Sequence, residues 1–277
     1  MRRLVAVGAL GGSGTRVVAQ ILMQLGVDLG GVLNQPNDNL IFTALFKSPT
    51  WYKVSNKKDF RRRLRIFDRF MSGQALSMSD KYELLKSSFL NRTIGRDYSF
   101  YYKVFLKRRD ARRSDFWGWK EPNTQLYLEE INDFYPDIKY IHVLRNGLDM
   151  AFSKNIYQLK NWGFKYNIFI NDLEDDQEIS IKQLDYWIQS TKEVLSKRYK
   201  LHDRFYLLNY TDFCLDPEKE IDQLITFLQI NVNNKEQDKL IELVKTPSSF
   251  DRYKSKDISF FREDQLEFVE EMGFSID

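Results

Sequence analysis

Residues 139–153, KYIHVLRNGLDMAFS, hold the most informative pattern of this chain. The apolar run Tyr140–Leu144 predicts a buried strand that ends at Arg145. A turn follows, and Ser153 lies on the helix predicted after it. A guanidinium at a strand end and a hydroxyl on the next helix can hold one phosphate between them. A strand-end arginine also often caps a helix or forms an ion pair, so this pattern alone leaves both interpretations open.

A second turn suited to anions lies near the N-terminus, where residues 7–16 read VGALGGSGTR after a strand predicted at Leu4–Val7. The turn itself is rich in glycine, with Gly11, Gly12 and Gly14. They allow backbone N–H groups to converge, Ser13 and Thr15 add hydroxyl donors, and the helix predicted from Thr15 begins at the same place. The spacing matches neither G-x-x-x-x-G-K-[ST] nor G-x-G-x-x-G, and an ordinary glycine-rich turn remains an alternative. Two such turns predict a ligand such as a nucleotide phosphorylated at its 5′ and 3′ positions.

The order of predicted elements indicates an α/β fold. Strands are predicted at Phe116–Lys120, Tyr140–Leu144 and Phe205–Leu208, with helices around Leu184–Leu195 and Ile221–Leu228. Strands that alternate with helices predict a central parallel sheet flanked by helices. The stretch from about 40 to 113 is helical and basic, so we expect an all-helical insert within one domain that spans residues 1–277.

Two apolar patterns predict helices in the insert. Phe60, Leu64, Phe67 and Met71 share one face, from which the arginines at 61, 62, 63 and 65 largely depart. Tyr82, Leu85, Phe89 and Leu90 repeat the pattern after a cap predicted at Ser79. The strongest basic runs are Arg61–Arg65 and Lys107–Arg113, and a solvated helix face is the default interpretation of each.

The composition excludes several functional classes. A single cysteine, Cys214, excludes an internal disulfide framework and a cysteine-based zinc site, and two histidines argue against a metal centre. The net charge of +3 is too mild to indicate nucleic-acid binding. No stretch approaches the roughly 20 apolar residues of a membrane span, and the short apolar run after Arg3 enters a polar turn rather than a signal-peptide cleavage region. A reducing, cytoplasmic location is therefore expected.

Taken together, the motifs resemble those of sulfotransferases that use 3′-phosphoadenylyl sulfate (PAPS), and especially of bacterial members. Four segments match in the family's order: Gly11–Arg16, Trp119–Pro122, Arg145–Ser153, and Tyr206–Phe213 with the Asp216-Pro217 pair that follows. The resemblance covers most of the chain outside the insert. It implies a P-loop-like three-layer fold and in-line transfer of the sulfuryl group from PAPS to a hydroxyl of a carbohydrate or small-molecule acceptor, without a required metal. The basic runs could attract an anionic acceptor.

The resemblance also implies catalytic residues. Lys120 stands where the tyrosylprotein branch has a catalytic lysine, in a position to neutralise charge on the leaving group. Family members commonly carry a cation where this chain has Gly12, and Arg16 is expected to replace it. Asp38 is the candidate general base, because the family often takes a carboxylate from the loop after the first helix. Asp38 is also interpretable as an ordinary N-cap of a helix that begins at Leu40.

The remaining implied residues bind the nucleotide. The loop for the 5′-phosphosulfate comprises Gly11, Gly12, Ser13, Gly14, Thr15 and Arg16. Arg145 and Ser153 are expected to hold the 3′-phosphate. Tyr210 matches an adenine-contacting tyrosine of the family, and a buried core aromatic is an equal alternative. Arg252 could close over the 3′-phosphate, or its loop could simply be solvated.

Two other functions remain open at this point. A P-loop kinase acting on a small molecule would share the turn, but the loop lacks a lysine after Gly14 and the pattern from Arg145 to Ser153 argues against it. A catalytically silent nucleotide-binding protein of the same fold is favoured by Gly12 and disfavoured by Lys120.

Overall fold

The computed structural model describes residues 3–91, 94, 97–106, 114–171 and 173–277, so the basic run Lys107–Arg113 lies outside the described residues. Its four strands are β1 (Arg3–Ala9), β2 (Phe116–Lys120), β3 (Lys139–Leu144) and β4 (Phe205–Asn209). They form one parallel sheet in the order β2-β1-β3-β4. Residues 4–9 of β1 are all buried, as expected when helices cover both faces of a sheet.

The register of β1 and β2 places the end of one strand beside the end of the other. The two strands pair in parallel from Arg3 with Phe116 to Val7 with Lys120. Gly118 permits this close approach, since a Cβ there would lie 2.0 Å from the carbonyl oxygen of Val5. Lys120 is thereby fixed at the carboxyl end of β2, where functional groups of α/β proteins gather.

Backbone packing groups the chain into two compact units. The first comprises Met1–Ala9, Thr15–Ile141 and Asp203–Phe205, and the second comprises Leu10–Gly14, His142–His202 and Tyr206–Asp277. Helices of the first unit are α1 (Thr15–Gln24), α2 (Leu40–Phe46), α3 (Pro49–Val54), α4 (Lys57–Met71), α5 (Met78–Leu90), α6 (Tyr98–Tyr101) and α7 (Leu128–Phe134). Helices of the second are α8 (Gly147–Ala151), α9 (Tyr157–Trp162), α10 (Asp176–Leu201), α11 (Tyr210–Leu215), α12 (Pro217–Leu228), α13 (Asn234–Ile241) and α14 (Glu263–Glu271).

Aromatic side chains form the core of the first unit. Phe42 stacks on Trp119 with ring centroids 5.5 Å apart, and Phe67 meets the same indole edge-on at 5.1 Å. All three rings are fully buried. This packing holds α2 and α4 against the face of β2, as the apolar pattern of α4 predicts.

The face of α5 that the apolar pattern predicts to be buried is exposed to solvent in the structure. Tyr82 and Phe89 are each 65% exposed, whereas Leu84, Ser87 and Ser88 are buried, and α5 packs against α2. Small side chains allow two helices to approach closely, and this tertiary contact overrides the apolar periodicity. The helix also begins earlier than predicted, because Ser77 rather than Ser79 is the N-cap and accepts from the backbone N–H of Asp80 at 3.1 Å.

Arg63 is buried rather than solvated, unlike its neighbours in the basic run. Its guanidinium donates to Glu83 at 2.7 Å and to the carbonyl oxygen of Leu45, and it lies 4.0 Å from the centre of the Trp51 ring. Burial lowers the pKa of Arg63, and Glu83 opposes that effect. One side chain therefore joins α2, α3, α4 and α5.

No helix within the described part of the chain is long and apolar enough to cross a membrane.

Candidate functional site

The glycine turn after β1 adopts the backbone conformation that its sequence predicts. Gly12 and Gly14 have φ angles of +97° and +89°, a region that side chains disfavour. Ser13 is buried, and its backbone N–H donates to the carbonyl oxygen of Leu10 at 3.2 Å. A Cβ on Gly14 would lie 2.0 Å from the ring of Tyr210. The turn is thus shaped by its glycines, and Tyr210 packs directly against it.

Arg145 joins the glycine turn to the C-terminal loop within the second unit. Arg145 directly follows the last residue of β3 and is 5% exposed. Its Nε and Nη2 donate to one oxygen of Asp149 at 3.1 and 2.7 Å, and its Nη1 donates to the carbonyl oxygen of Gly12 at 3.2 Å. Nη2 also donates to the carbonyl oxygen of Ser249 and to its hydroxyl at 3.2 Å. The guanidinium of Arg145 is thereby held beside the glycine turn, a contact that the sequence pattern did not predict.

The backbone that carries Arg145 is fixed by its neighbours. Asn146 caps α8 by accepting from the backbone N–H of Leu148 at 2.8 Å. The indole N–H of Trp187 donates to the carbonyl oxygen of Arg145 at 3.0 Å. Gly147 lets the two segments approach, since a Cβ there would come within 2.7 Å of the Trp187 ring.

Ser153 does not lie on the predicted helix. Helix α8 ends at Ala151, and the amide of Gln183 donates to the carbonyl oxygens of Ala151 and Ser153 at 2.7 and 3.0 Å beyond the helix end. The Ser153 hydroxyl accepts from the backbone N–H of Asn155 at 3.2 Å, which is a local turn contact. The described hydrogen bonds of Arg145 go to Gly12, Asp149 and Ser249, and its joint role with Ser153 at the 3′-phosphate stays a prediction.

Arg252 meets Arg145 at a shared acceptor. It begins the 3₁₀ segment Arg252–Ser255, and its Nε donates to the carbonyl oxygen of Ser249 at 3.3 Å, the atom to which Arg145 also donates. Partial burial and the charge of Arg145 lower the pKa of Arg252, while Asp149 opposes them. Two guanidinium groups facing one carboxylate leave an excess of positive charge that favours an anion.

Tyr210 is a neutral phenol at the start of α11. It is 5% exposed, and its ring centre lies 5.9 Å from the guanidinium carbon of Arg145. Burial raises the pKa of Tyr210 far above physiological pH. The ring is buried, as the core interpretation expects, and it lines the turn that contains Gly14, while its contact with adenine stays a prediction.

In the first unit, Lys120 and Asp38 form an ion pair. Lys120 is 1% exposed, and its Nζ donates to a carboxylate oxygen of Asp38 and to the carbonyl oxygen of Pro36 at 2.6 Å. The other Asp38 oxygen accepts from the amide of Asn34 at 2.9 Å. Burial lowers the pKa of Lys120, and Asp38 opposes that shift. The two residues assigned to charge and proton transfer are thus in direct contact.

Arg16 adds a second positive charge near Lys120. Arg16 is exposed on the first turn of α1. Burial is the largest cause that lowers the pKa of Lys120, nearby carboxylates oppose it, and the positive charge of Arg16 lowers the pKa further. The alternative role of Asp38 as a helix cap is wrong, because Asn39 caps α2 and accepts from the N–H groups of Ile41 and Phe42 at 3.1 and 3.0 Å.

Two other titratable groups are held inside the protein. Glu121 is fully buried, and its carboxylate accepts from the backbone N–H of Asn123 and lies 3.5 Å from Nζ of Lys47. Burial raises the pKa of Glu121, and the charge of Lys47 opposes that shift. His142 is 2% exposed, and burial lowers its pKa to about 3. Among the residues that the structure describes, no group of three histidine, cysteine, aspartate or glutamate side chains could hold a metal ion.

Sequence reasoning missed two partners of Arg145. Asp149 follows it by four residues, and this opposite-charge spacing could have revealed the pair. Ser249 lies 104 residues further along the chain, and no local pattern links them.

The sequence matches the sulfotransferase family over residues 5–234, which is most of its length. The chain therefore belongs to the PAPS-dependent sulfotransferase family and is an enzyme of that class. No curated protein matches it.

Solved structures share the fold at low sequence identity. The sulfotransferase domain of the olefin synthase from Synechococcus PCC 7002 is 12% identical with a TM-score of 0.51, and the alignment covers 99% of this chain and 95% of that one. The sulfotransferase domain from the curacin biosynthetic pathway is 11% identical with a TM-score of 0.52, and the coverage is 99% and 98%. These likenesses and the observed sheet confirm the predicted α/β fold with a central parallel sheet.

Proposed function

We propose that this protein transfers the sulfuryl group of PAPS to a hydroxyl of a carbohydrate or small-molecule acceptor by in-line displacement. The observation that carries the proposal is Arg145, which donates both to the phosphate turn at Gly12 and to the loop at Ser249 that carries Arg252. A nucleotide with 5′ and 3′ phosphates requires cations and N–H donors at two neighbouring places, and this arrangement supplies them.

The residues present fit such a nucleotide. The segment Gly11–Arg16 would hold the 5′-phosphosulfate, since a Cβ on Gly12 would have Met150 Cε at 3.9 Å as its nearest neighbour, which leaves room for a group to approach the backbone. Arg145 and Arg252 would hold the 3′-phosphate, and Tyr210 would border the adenine. When bound, PAPS supplies an activated sulfuryl group and a phosphate leaving group.

Lys120 has the role of neutralising charge on the leaving oxygen. A buried ammonium acts more strongly than one in water, because the surroundings screen its field less. Its lowered pKa also makes Nζ–H a stronger hydrogen-bond donor. Arg16 assists from the first turn of α1, where its charge already acts on Lys120.

Asp38 has the role of general base. Its Oδ1 accepts from Lys120, and Asn34 holds the carboxylate through the other oxygen and through the backbone N–H of Asp38 at 2.7 Å. When Lys120 turns to the leaving oxygen, Oδ1 becomes free to accept the proton of the acceptor hydroxyl. The ion pair thus couples deprotonation of the acceptor to stabilisation of the leaving group.

Calorimetric titration with adenosine 3′,5′-bisphosphate and, separately, with ATP tests the nucleotide assignment. We expect selective binding of the bisphosphate that is lost in Arg145→Ala and retained in Arg198→Ala, which removes an exposed arginine of α10 in the same unit. Binding of ATP in preference to the bisphosphate, or of neither nucleotide, would contradict the proposal.

A further inference from the structure

A cavity of about 540 Å³ lies in the first unit among α3, α4 and α5. The proposed chemistry uses none of the residues that line it. Its size falls within the range of small-molecule binding pockets.

One wall of the cavity is apolar. Trp51 is half-buried there, while Val54 and Leu90 are 77% and 70% exposed at its edge. The contact of Trp51 with Arg63 leaves part of the indole accessible from the cavity. An apolar group placed against these three side chains would remove them from water and gain binding free energy in proportion to the area buried.

The remaining walls carry an excess of positive charge. Arg63 and Glu83 neutralise each other at 2.7 Å, and Asp59 contributes one negative charge while accepting from a backbone N–H at the start of α4. Arg62 and Lys86 are exposed lining residues, and no ion pair is seen for either among the described residues. Two cations against one anion favour a negatively charged ligand.

We infer that this cavity binds an amphiphilic anion. Its apolar part packs against Trp51, Val54 and Leu90, and its carboxylate, phosphate or sulfate lies between Arg62 and Lys86. The statement that this ligand is also the hydroxyl-bearing acceptor rests on the proposed function.

The cavity wall is connected to the strand that carries Lys120. Trp51 contacts Tyr127, with ring centroids 6.4 Å apart, and Tyr127 ends the 3₁₀ segment Pro122–Tyr127. That segment begins two residues after Lys120. Tyr127 also contacts Phe46, and through Phe42 this ring cluster reaches Trp119, the residue before Lys120. A ligand seated on Trp51 would therefore touch a ring cluster that extends to strand β2.

Trp51 itself reports on occupancy. The other four tryptophans are at most 4% exposed, so a ligand in the cavity changes the emission of Trp51 in particular. The probe is n-decyl sulfate at concentrations below micelle formation, compared with n-decanol and with inorganic sulfate. We expect a saturable change with decyl sulfate that is absent in Trp51→Phe, and a much weaker response to the tail or the head group alone.

A matched pair of double variants tests the cation assignment. Arg62→Ala/Lys86→Ala is expected to weaken decyl sulfate binding by about tenfold or more. Arg61→Ala/Arg65→Ala removes the same charge from exposed positions of α4 outside the cavity, and its affinity is expected to match that of the wild type. Equal weakening in both variants, or a full signal in Trp51→Phe, would overturn the inference.

Titration of the same samples with adenosine 3′,5′-bisphosphate separates this inference from the proposed function. If the wild type binds decyl sulfate at Trp51 but shows no preference for the bisphosphate, the nucleotide assignment is contradicted and the cavity assignment stands. Unchanged bisphosphate binding with no probe binding would overturn the cavity assignment alone.

Discussion

Lys120 and Asp38 are bound to each other in a nearly closed environment, with side chains 1% and 14% exposed. Removing one partner of a buried ion pair leaves the other charge uncompensated, which costs about 3–5 kcal/mol in fully buried cases. Any test of these residues must therefore measure stability beside activity.

Lys120→Ala is expected to lower the rate of bisphosphate release from PAPS by about 10²- to 10³-fold, because a preorganised charge at the leaving group is lost. The affinity for adenosine 3′,5′-bisphosphate is expected to change little. Lys53→Ala, on α3 of the same unit, serves as the control. The double variant Lys120→Ala/Asp38→Asn is expected to recover stability against urea, and because it also lacks the proposed base it reports on stability alone. A rate for the single variant Lys120→Ala equal to that of the wild type would show that Lys120 is only structural.

Arg145→Ala is expected to weaken adenosine 3′,5′-bisphosphate binding by about 10- to 100-fold, since charged hydrogen bonds contribute about 1.5–3 kcal/mol each. It also leaves the buried Asp149 without its cation. Arg145→Ala/Asp149→Asn removes that second effect, so we expect it to be more stable than the single variant and equally poor in binding. Calorimetry and urea unfolding on both proteins measure the two quantities. Recovery of binding in the double variant would refute a direct role for Arg145.

Gly12→Ala and Gly14→Ala form a matched pair in the glycine turn after β1. Both glycines have positive φ, so each alanine incurs backbone strain of about 1–2 kcal/mol. Gly14→Ala adds a collision with Tyr210 at 2.0 Å, whereas the nearest atom to a Cβ on Gly12 is 3.9 Å away. We expect Gly14→Ala to lower the melting temperature clearly more than Gly12→Ala. Equal melting temperatures would show that Tyr210 moves aside freely.

His142 is expected to make the protein sensitive to acid. Burial lowers its pKa to about 3 from the ordinary value of 6.5, so the unfolded chain binds a proton at a higher pH than the folded one. Its contribution to stability is complete above about pH 6.5 and falls as the pH drops towards 3. At pH 4 the loss amounts to about 3 kcal/mol. The free energy of unfolding at pH 7 and pH 4 measures this loss, which is expected to shrink in His142→Gln; an unchanged loss would assign it to other groups.

Strand positions followed from the sequence because continuous apolar runs belong to strands that are buried on both faces. The same runs located Lys120 and Arg145, which stand at strand ends. The orientation of α5 could not be predicted, since it depends on the packing of α5 against α2 rather than on the periodicity of α5 itself.

Contacts between distant segments were equally beyond local patterns. Asp38 was predicted as a candidate base, but its pairing with Lys120 joins residues 82 positions apart. Its alternative role as a cap failed because its neighbour Asn39 has the same capping chemistry and faces the first turn of α2. The sequence predicted which groups are present, and the tertiary fold determines which of them meet.

The guanidinium of Arg63 has a consequence for how the helices around the cavity open. It satisfies a carbonyl at the end of α2, pairs with α5 through Glu83 and covers the ring of Trp51 on α3. Detaching any one of these helices would leave a buried cation short of a partner. These helices are therefore expected to unfold together as one cooperative unit, whose backbone amides exchange with solvent through a single opening of common free energy instead of fraying helix by helix.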